Sequence, residues 1–114
     1  MSIQVGHAET LLPLLTLLGL FKDEVRLTAA NFAAQGGRSF RTSRTLPYAA
    51  NLVVALYDCD EGGELRVQAL LNEEPLTFPG MEAAPLYRVL RQHYLPLLKS
   101  CVFEEVCRLP PQRK

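Results

Sequence analysis

The sequence has no excess of charge of either sign, and no basic stripe or block of like charges stands out. Its 12 basic residues balance 12 acidic residues over 114 positions, so the formal net charge is zero. Broad binding to nucleic acid or to an anionic membrane depends on an excess of positive charge. The composition therefore argues against both partners, although a small anion pocket needs only a few focused groups.

Metal-binding patterns are also missing. The sequence contains no CxxC, and its two histidines, His7 and His93, lie far apart, so no zinc site is predicted. The odd number of cysteines leaves one thiol unpaired or paired outside the chain. Cys101 and Cys107 are close enough to form a disulfide if the chain turns between them, while Cys59 stays free or has a partner elsewhere. Three buried free thiols are the alternative.

No apolar run is long enough to span a membrane. The run at residues 11–21 falls short of the ~20 residues that a transmembrane helix needs. Its length fits the apolar core of a signal peptide, but His7 and Glu9 stand where a basic region is expected. We predict a buried helix here, with a signal peptide cleaved near Ala30 as the alternative. The chain also ends without an endoplasmic reticulum retention tetrapeptide.

The first part of the chain predicts a short strand followed by a helix. Residues 3–5 alternate as a strand tail would, and Thr10 can cap a helix over residues 10–18. Pro13 then falls in the first turn, where its missing N–H is tolerated, and Gly19 suits the C-terminal end. Leucines occur all round this helix, so we expect it to lie inside a larger body.

The central part predicts a β-hairpin. Residues 22–47 are predicted to be mainly loop, with a short helical piece near 29–34. The continuous apolar run at 51–59 is typical of a buried strand. A turn signal at 60–63 leads into the alternating segment 65–71, which should pair antiparallel with the first strand.

The last part predicts a loop at 72–80 and an amphipathic helix at 82–100, in which Pro96 should cause a kink or a new turn. His93 lies within this helix, and we interpret it as a packing or helix-face residue. The proline-rich tail from Leu109 is predicted to be disordered.

His7 and Glu9 could carry chemistry. Ligands of open α/β folds bind where strands end, and the start of a helix offers free N–H groups that suit phosphate. Residues two apart in an extended stretch point the same way, so both side chains could face one pocket. A histidine can donate hydrogen bonds to a phosphate oxygen, and a protonated carboxyl group can protonate a leaving alkoxide. This combination suits the cleavage of a phosphate monoester.

Four segments, in order, resemble the multiple inositol polyphosphate phosphatases, a family of histidine acid phosphatases. They cover residues ~3–108 of the chain. The first segment is Val5–Thr10, together with the leucine-rich run and Lys22–Asp23 after it. The second consists of Phe40–Arg41 and Pro47–Leu52, and the third is Arg66–Glu73. The fourth runs from His93–Tyr94 through Ser100–Cys101 and includes Glu104–Cys107.

The resemblance implies hydrolysis of inositol hexakisphosphate, related inositol phosphates or 2,3-bisphosphoglycerate, without a metal or other cofactor. Glu9 is implied as the proton donor and His7 as a phosphate-binding residue that stabilises the transition state. Arg41 becomes a candidate for substrate binding; Arg38, Arg41 and Arg44 otherwise form a solvated basic loop. Cys101 and Cys107 match a cysteine pair of the family, which implies a disulfide. The family also implies the secretory pathway, either the endoplasmic reticulum lumen or secretion.

One departure from the family is large, because the chain has no RHGxRxP motif, whose histidine attacks phosphorus. We therefore expect an incomplete α/β fold of the histidine phosphatase type, with a strand–helix unit, a β-hairpin and a C-terminal helix over residues 1–108 and a disordered tail at 109–114. Its expected partners are an inositol phosphate substrate and the missing N-terminal part of the same fold. The chain alone should be inactive. The alternatives are a non-catalytic protein that binds a phosphatase or a phosphorylated ligand, and a small secreted protein.

Overall fold

A computed structural model describes residues 1–58 and 63–108. Cys59, most of the turn predicted at 60–63 and the tail predicted to be disordered at 109–114 lie outside the described residues. The described part is a mixed α/β arrangement whose elements, in chain order, are α1 Ala8–Leu17, α2 Thr42–Thr45, β1 Leu52–Tyr57, β2 Arg66–Leu71, β3 Glu74–Leu76, α3 Tyr87–Ser100 and α4 Phe103–Val106.

Helix α1 begins three residues earlier than a cap at Thr10 predicts. His7 is its N-cap residue in place of Thr10, so Pro13 lies inside the helix and leaves the carbonyl of Glu9 without its usual N–H donor. The predicted end at Gly19 is confirmed, since this glycine has φ +74°. Its N–H donates to Thr16 O at 2.9 Å, and the N–H of Leu20 donates to Leu15 O at 3.0 Å. This pair of bonds is a Schellman motif, which ends the helix and turns the chain back to the core.

The predicted hairpin is confirmed, because β1 and β2 pair antiparallel from Leu52 opposite Leu71 to Tyr57 opposite Arg66. A third strand, β3, pairs antiparallel with β2 in a region predicted to be loop. The two residues between these strands, Asn72 and Glu73, have φ values of +52° and +70°. Positive φ at both positions characterises the two-residue hairpin turn that matches strand twist, and Asn favours this conformation.

Strand β1 is not the buried strand that its apolar run predicts. It is an edge strand of the described sheet, in the order β1-β2-β3, and Val53, Val54 and Leu56 are between 47% and 58% exposed. Strand β2 has the central place, with Val67, Ala69 and Leu71 buried on one face. An apolar run shows only that a strand is suited to burial, and the elements packed around it decide whether it is buried.

The strand predicted at residues 3–5 is wrong. Ile3 and Val5 lie in extended but unpaired chain and are 73% and 96% exposed. A strand needs a neighbour to satisfy its backbone N–H and C=O groups, and no described strand lies alongside. Residues 29–37 form turns, so the helical piece expected near 29–34 is also absent.

Helix α3 begins at Tyr87 instead of residue 82 and continues through Pro96 to Ser100. It packs against the buried face of β2 through Leu90 and Tyr94. The Tyr94 hydroxyl donates to Leu18 O at 2.8 Å, and burial raises the pKa of this phenol. This bond joins the C-terminal helix to the end of α1 across 76 positions of sequence.

The core consists of two small clusters on the same face of the sheet. Leu15, Leu20 and Leu71 form the first, and Val67, Ala69 and Phe78 form the second; Leu18 and Leu76 contact both. The chain is nevertheless extended, with a radius of gyration of 17.6 Å. A compact domain of this length would have a radius of roughly 13 Å. The exposed surface of 9715 Å² also exceeds the roughly 6,200 Å² typical of a monomer of this mass.

Candidate functional site

His7 and Glu9 lie together at the N-terminal end of α1. His7 has extended backbone angles, φ −95° and ψ 173°, and Glu9 lies in the first helical turn. The carbonyl of His7 accepts the N–H of Thr10 at 2.9 Å, which starts the helix. The N–H groups of Ala8 and Glu9 precede the first intrahelical bond, so they remain as donors at the positive end of the helix dipole.

Gly6 fixes the approach of the chain to this helix start. A Cβ atom at Gly6 would lie 3.2 Å from Thr10 Oγ1 and 3.3 Å from Thr10 Cβ. A side chain at Gly6 would therefore be in tight contact with Thr10, and that side chain would have to shift slightly. Thr10, expected to cap the helix, instead packs its side chain against Gly6.

The side chains of His7 and Glu9 are exposed, and no described side chain caps the helix start. Two surface grooves in the described part do not include them: one is lined by Arg88, Val89, Gln92 and His93, the other by Thr16, Gly19–Asp23 and Phe40. Both expected site residues thus share one end of α1, without an enclosing pocket formed by the described chain.

Arg41 belongs to a different part of the structure. It is the N-cap residue of α2, and its Nη1 donates to Gly36 O at 3.1 Å. The preceding residue, Phe40, donates its N–H to Asp23, just beyond the C-terminal end of α1. Because α1 has ten residues and an α-helix rises about 1.5 Å per residue, its two ends are about 15 Å apart. The structure therefore groups His7 with Glu9 and places Arg41 near the opposite end of the helix.

Asp23 holds the loop that carries Arg41. Its carboxylate accepts the N–H of Ser39 at 2.7 Å and the N–H of Phe40 at 3.0 Å. These bonds, with Phe40 contributing most, hold the pKa of Asp23 below its ordinary value, and Arg38 lowers it further. This role of Asp23 was not predicted from the sequence. The one indication in the sequence is an Asp in an irregular segment, since Asp side chains often accept hydrogen bonds from nearby backbone N–H groups.

We expect acidification to weaken this loop attachment. A carboxyl group whose pKa is lowered in the folded state stabilises that state when the pH is above the ordinary pKa of the group, here 3.8. This stabilisation is lost as the pH falls through the lowered pKa. Asp23→Asn should therefore lower the urea midpoint at pH 6, and the difference from the wild type should shrink as the pH falls from 3.8 to about 2, because the wild-type carboxyl group is then protonated too. Glu24→Gln, a neighbouring exposed carboxylate, is the control; an Asp23→Asn effect of equal size at both pH values would contradict this role.

His93 is exposed on α3, with its ring centroid 4.7 Å from that of Tyr94, as expected for a helix-face residue. Cys101 ends α3 and Cys107 ends the one-turn helix α4. Both are exposed free thiols in the structure, so the disulfide between them stays a prediction. No helix within residues 1–58 and 63–108 is long and apolar enough to cross a membrane.

The family model of the histidine phosphatase superfamily (branch 2) matches residues 1–72, from the unpaired N-terminal segment through β2. The chain therefore belongs to this superfamily, and the match includes both His7 and Glu9. No solved structure shows significant similarity to the chain.

Among curated proteins, the chain is a homologue of multiple inositol polyphosphate phosphatase 1, as the sequence resemblance predicted. It is 50% identical over 112 residues to the protein of that name from Gallus gallus and 46% identical over 113 residues to the one from Homo sapiens. These matches cover 95% and 94% of this chain but only 25% and 23% of the relatives. A relative from Dictyostelium discoideum is 40% identical over 82 residues, which are 70% of this chain and 13% of that protein. The chain thus spans about a quarter of the length of the first two relatives.

Proposed function

We propose that residues 1–108 form the C-terminal part of a histidine phosphatase domain that removes phosphate groups from inositol polyphosphates. The observation that carries this proposal is the His7-Ala8-Glu9 segment at the exposed N-terminus of α1, within the residues that match the superfamily. The name of the relatives supports inositol polyphosphates as the substrate class.

In the proposed reaction, His7 donates a hydrogen bond to an oxygen of the phosphate that is transferred. The free N–H groups of Ala8 and Glu9 add to the positive potential at this position. The phosphoryl group passes to a histidine nucleophile in an RHGxRxP motif contributed by the rest of the domain, and the P–O bond to the substrate breaks. Glu9, in its protonated form, gives its proton to the leaving alkoxide oxygen.

The open apolar surfaces support the incomplete fold in this proposal. Leu14 and Leu17 on α1 are 40% and 59% exposed, and three apolar residues of β1 are similarly open. Covering such surfaces requires apolar contacts that the described residues do not provide. We propose that the rest of a histidine phosphatase domain covers them.

We also propose that the protein belongs to the secretory pathway. Exposed thiols at Cys101 and Cys107 flank α4, and a disulfide between them would tie the end of α3 to the segment after it. Disulfides persist in the secretory pathway, so this pairing fits a protein of the endoplasmic reticulum lumen or one that is secreted.

The decisive experiment compares the isolated chain with a chimera in which residues 1–108 replace the matching segment of the Gallus gallus relative. Phosphate release from inositol hexakisphosphate should be absent for the isolated chain, which has no RHGxRxP, and present for the folded chimera. Turnover by the isolated chain that Glu9→Gln abolishes would overturn the incomplete site. A folded chimera without turnover would overturn the assigned activity.

A second function, binding without turnover, is favoured by the missing nucleophile motif. The other histidine, His93, lies on α3 and has none of the motif around it. In this alternative the chain binds a phosphatase or a phosphorylated ligand. Retained binding of inositol hexakisphosphate by the isolated chain, together with an inactive folded chimera, would support this alternative.

A further inference from the structure

Two arginine side chains converge on one turn of the loop between α1 and α2. Arg38 Nη1 donates to Gln35 O at 3.2 Å, and Arg41 Nη1 donates to Gly36 O at 3.1 Å. Because Gln35 and Gly36 are consecutive, the two guanidinium groups are attached to neighbouring carbonyls. The Arg38 guanidinium also lies 5.3 Å from the centroid of the Phe32 ring, which adds a cation–π contact.

These attachments leave much of each guanidinium without a partner. The Nε atoms of Arg38 and Arg41 are buried and have no hydrogen-bond partner among the described residues. The two ion pairs in the described part involve other arginines, Arg66 and Arg88. Within the described part, neither Arg38 nor Arg41 is in an ion pair, so both guanidinium groups keep their positive charge for an anion.

Asp23 is the acidic group in electrostatic reach, since Arg38 helps to lower its pKa. Its carboxylate oxygens already accept the N–H groups of Ser39 and Phe40 and form no salt bridge with either arginine. Asp23 therefore fixes the loop but does not neutralise the pair. It also repels an anion, so the affinity for a single phosphate should be modest.

The geometry points to an anion-binding site formed by Arg38 and Arg41, which takes a phosphate group of a polyphosphorylated ligand. A guanidinium fixed at one nitrogen keeps its fork orientation, and this orientation suits the oxygens of a phosphate. The site lies near the end of α1 opposite His7 and Glu9, so it would hold a phosphate other than the one being transferred. The choice of an inositol phosphate as ligand rests on the proposed function, whereas the anion site itself does not.

Arg44 separates this site from a generally basic loop. It follows Arg41 by three positions, but its side chain is exposed in the last turn of α2 and forms no hydrogen bond in the described part. A solvated basic loop would use all three arginines alike. Anion binding at the proposed site requires Arg38 and Arg41 and does not depend on Arg44.

The test is a titration of the full chain with inorganic phosphate, followed through the Nε–Hε NMR signals of the arginines. Saturable shifts are expected for Arg38 and Arg41, and the Arg38→Gln/Arg41→Gln variant should bind at least about tenfold more weakly. Arg44→Gln should leave the Kd unchanged. Arg38→Lys/Arg41→Lys keeps the charge but loses the fork, so it should also weaken binding. Circular dichroism must show that each variant is folded.

Several results would overturn the site. If Arg44→Gln weakens binding as much as the double variant, the attraction is nonspecific and comes from a basic loop. The same conclusion follows if the lysine variant binds like the wild type. Loss of binding in His7→Ala, with retention in the arginine variants, would place the phosphate at the start of α1. A second titration with inositol hexakisphosphate shows which ligand the site takes. Binding through the same arginines that is tighter than that of inorganic phosphate supports a polyphosphorylated ligand. Equal affinity for the two supports free phosphate.

Discussion

Glu9→Gln is expected to lower the turnover of the chimera described above by about 10²- to 10⁴-fold, the usual contribution of a positioned general acid or base. Glutamine keeps the shape of the side chain but cannot supply a proton to the leaving alkoxide. Glu9 is exposed in the first turn of α1, so the substitution should not disturb the core. Substrate binding, measured by KM, should change much less than kcat.

His7→Ala should give a different kinetic pattern. It removes a hydrogen-bond donor to the phosphate in both the bound substrate and the transition state, so KM should rise and kcat should fall. Glu24→Gln, which neutralises another exposed carboxylate of the same chain, is the matched control and should leave both constants unchanged. Small and equal effects of Glu9→Gln and His7→Ala would contradict the roles assigned to the two residues.

Leu15→Ala is expected to destabilise the fold by about 2–5 kcal/mol, the range for removing a fully buried leucine side chain. Leu15 is 0% exposed and packs with Leu20 and Leu71, so it joins α1 to the buried face of β2. Truncation leaves a cavity between these elements. Urea unfolding followed by circular dichroism should show a lower midpoint with a similar slope.

Leu17→Ala provides the matched control, because it is the same change on the same helix. Leu17 is 59% exposed, and its truncation should change stability by no more than about 0.5 kcal/mol. Alanine also has the highest helix propensity, so any loss in the Leu15 variant reflects packing. Equal effects at the two positions would show that α1 is not attached to the sheet through Leu15.

Local structure was largely predictable from the sequence where it depends on residues that are close together along the chain. Gly19 ends α1 because its φ of +74° is easily adopted only by glycine, and the sequence predicts this end. The hairpin of β1 and β2 also follows from two apolar segments that flank a turn signal. In contrast, the start of α1 at His7 was missed, because an N-cap without a side-chain bond leaves no signal in the sequence.

Burial was much less predictable. The apolar composition of β1 indicated a buried strand, yet the described fold places it at the sheet edge and buries β2 instead. Similarly, leucines surround α1, but only Leu15 is fully covered within the helix. Burial depends on which elements lie opposite each face, and these contacts come from distant parts of the chain.

The superfamily and the pair of candidate catalytic residues can be recognised without a structure, because His7-Ala8-Glu9 and the segments after it are local patterns that need no contacts to be recognised. In contrast, the position of Arg41 near the opposite end of α1 from this pair, on a turn that it shares with Arg38, becomes apparent only in the folded chain. Asp23 produces that arrangement by accepting two N–H groups from a segment 16 and 17 positions away. Such a bond depends on how the chain folds back on itself, and no spacing in the sequence specifies it.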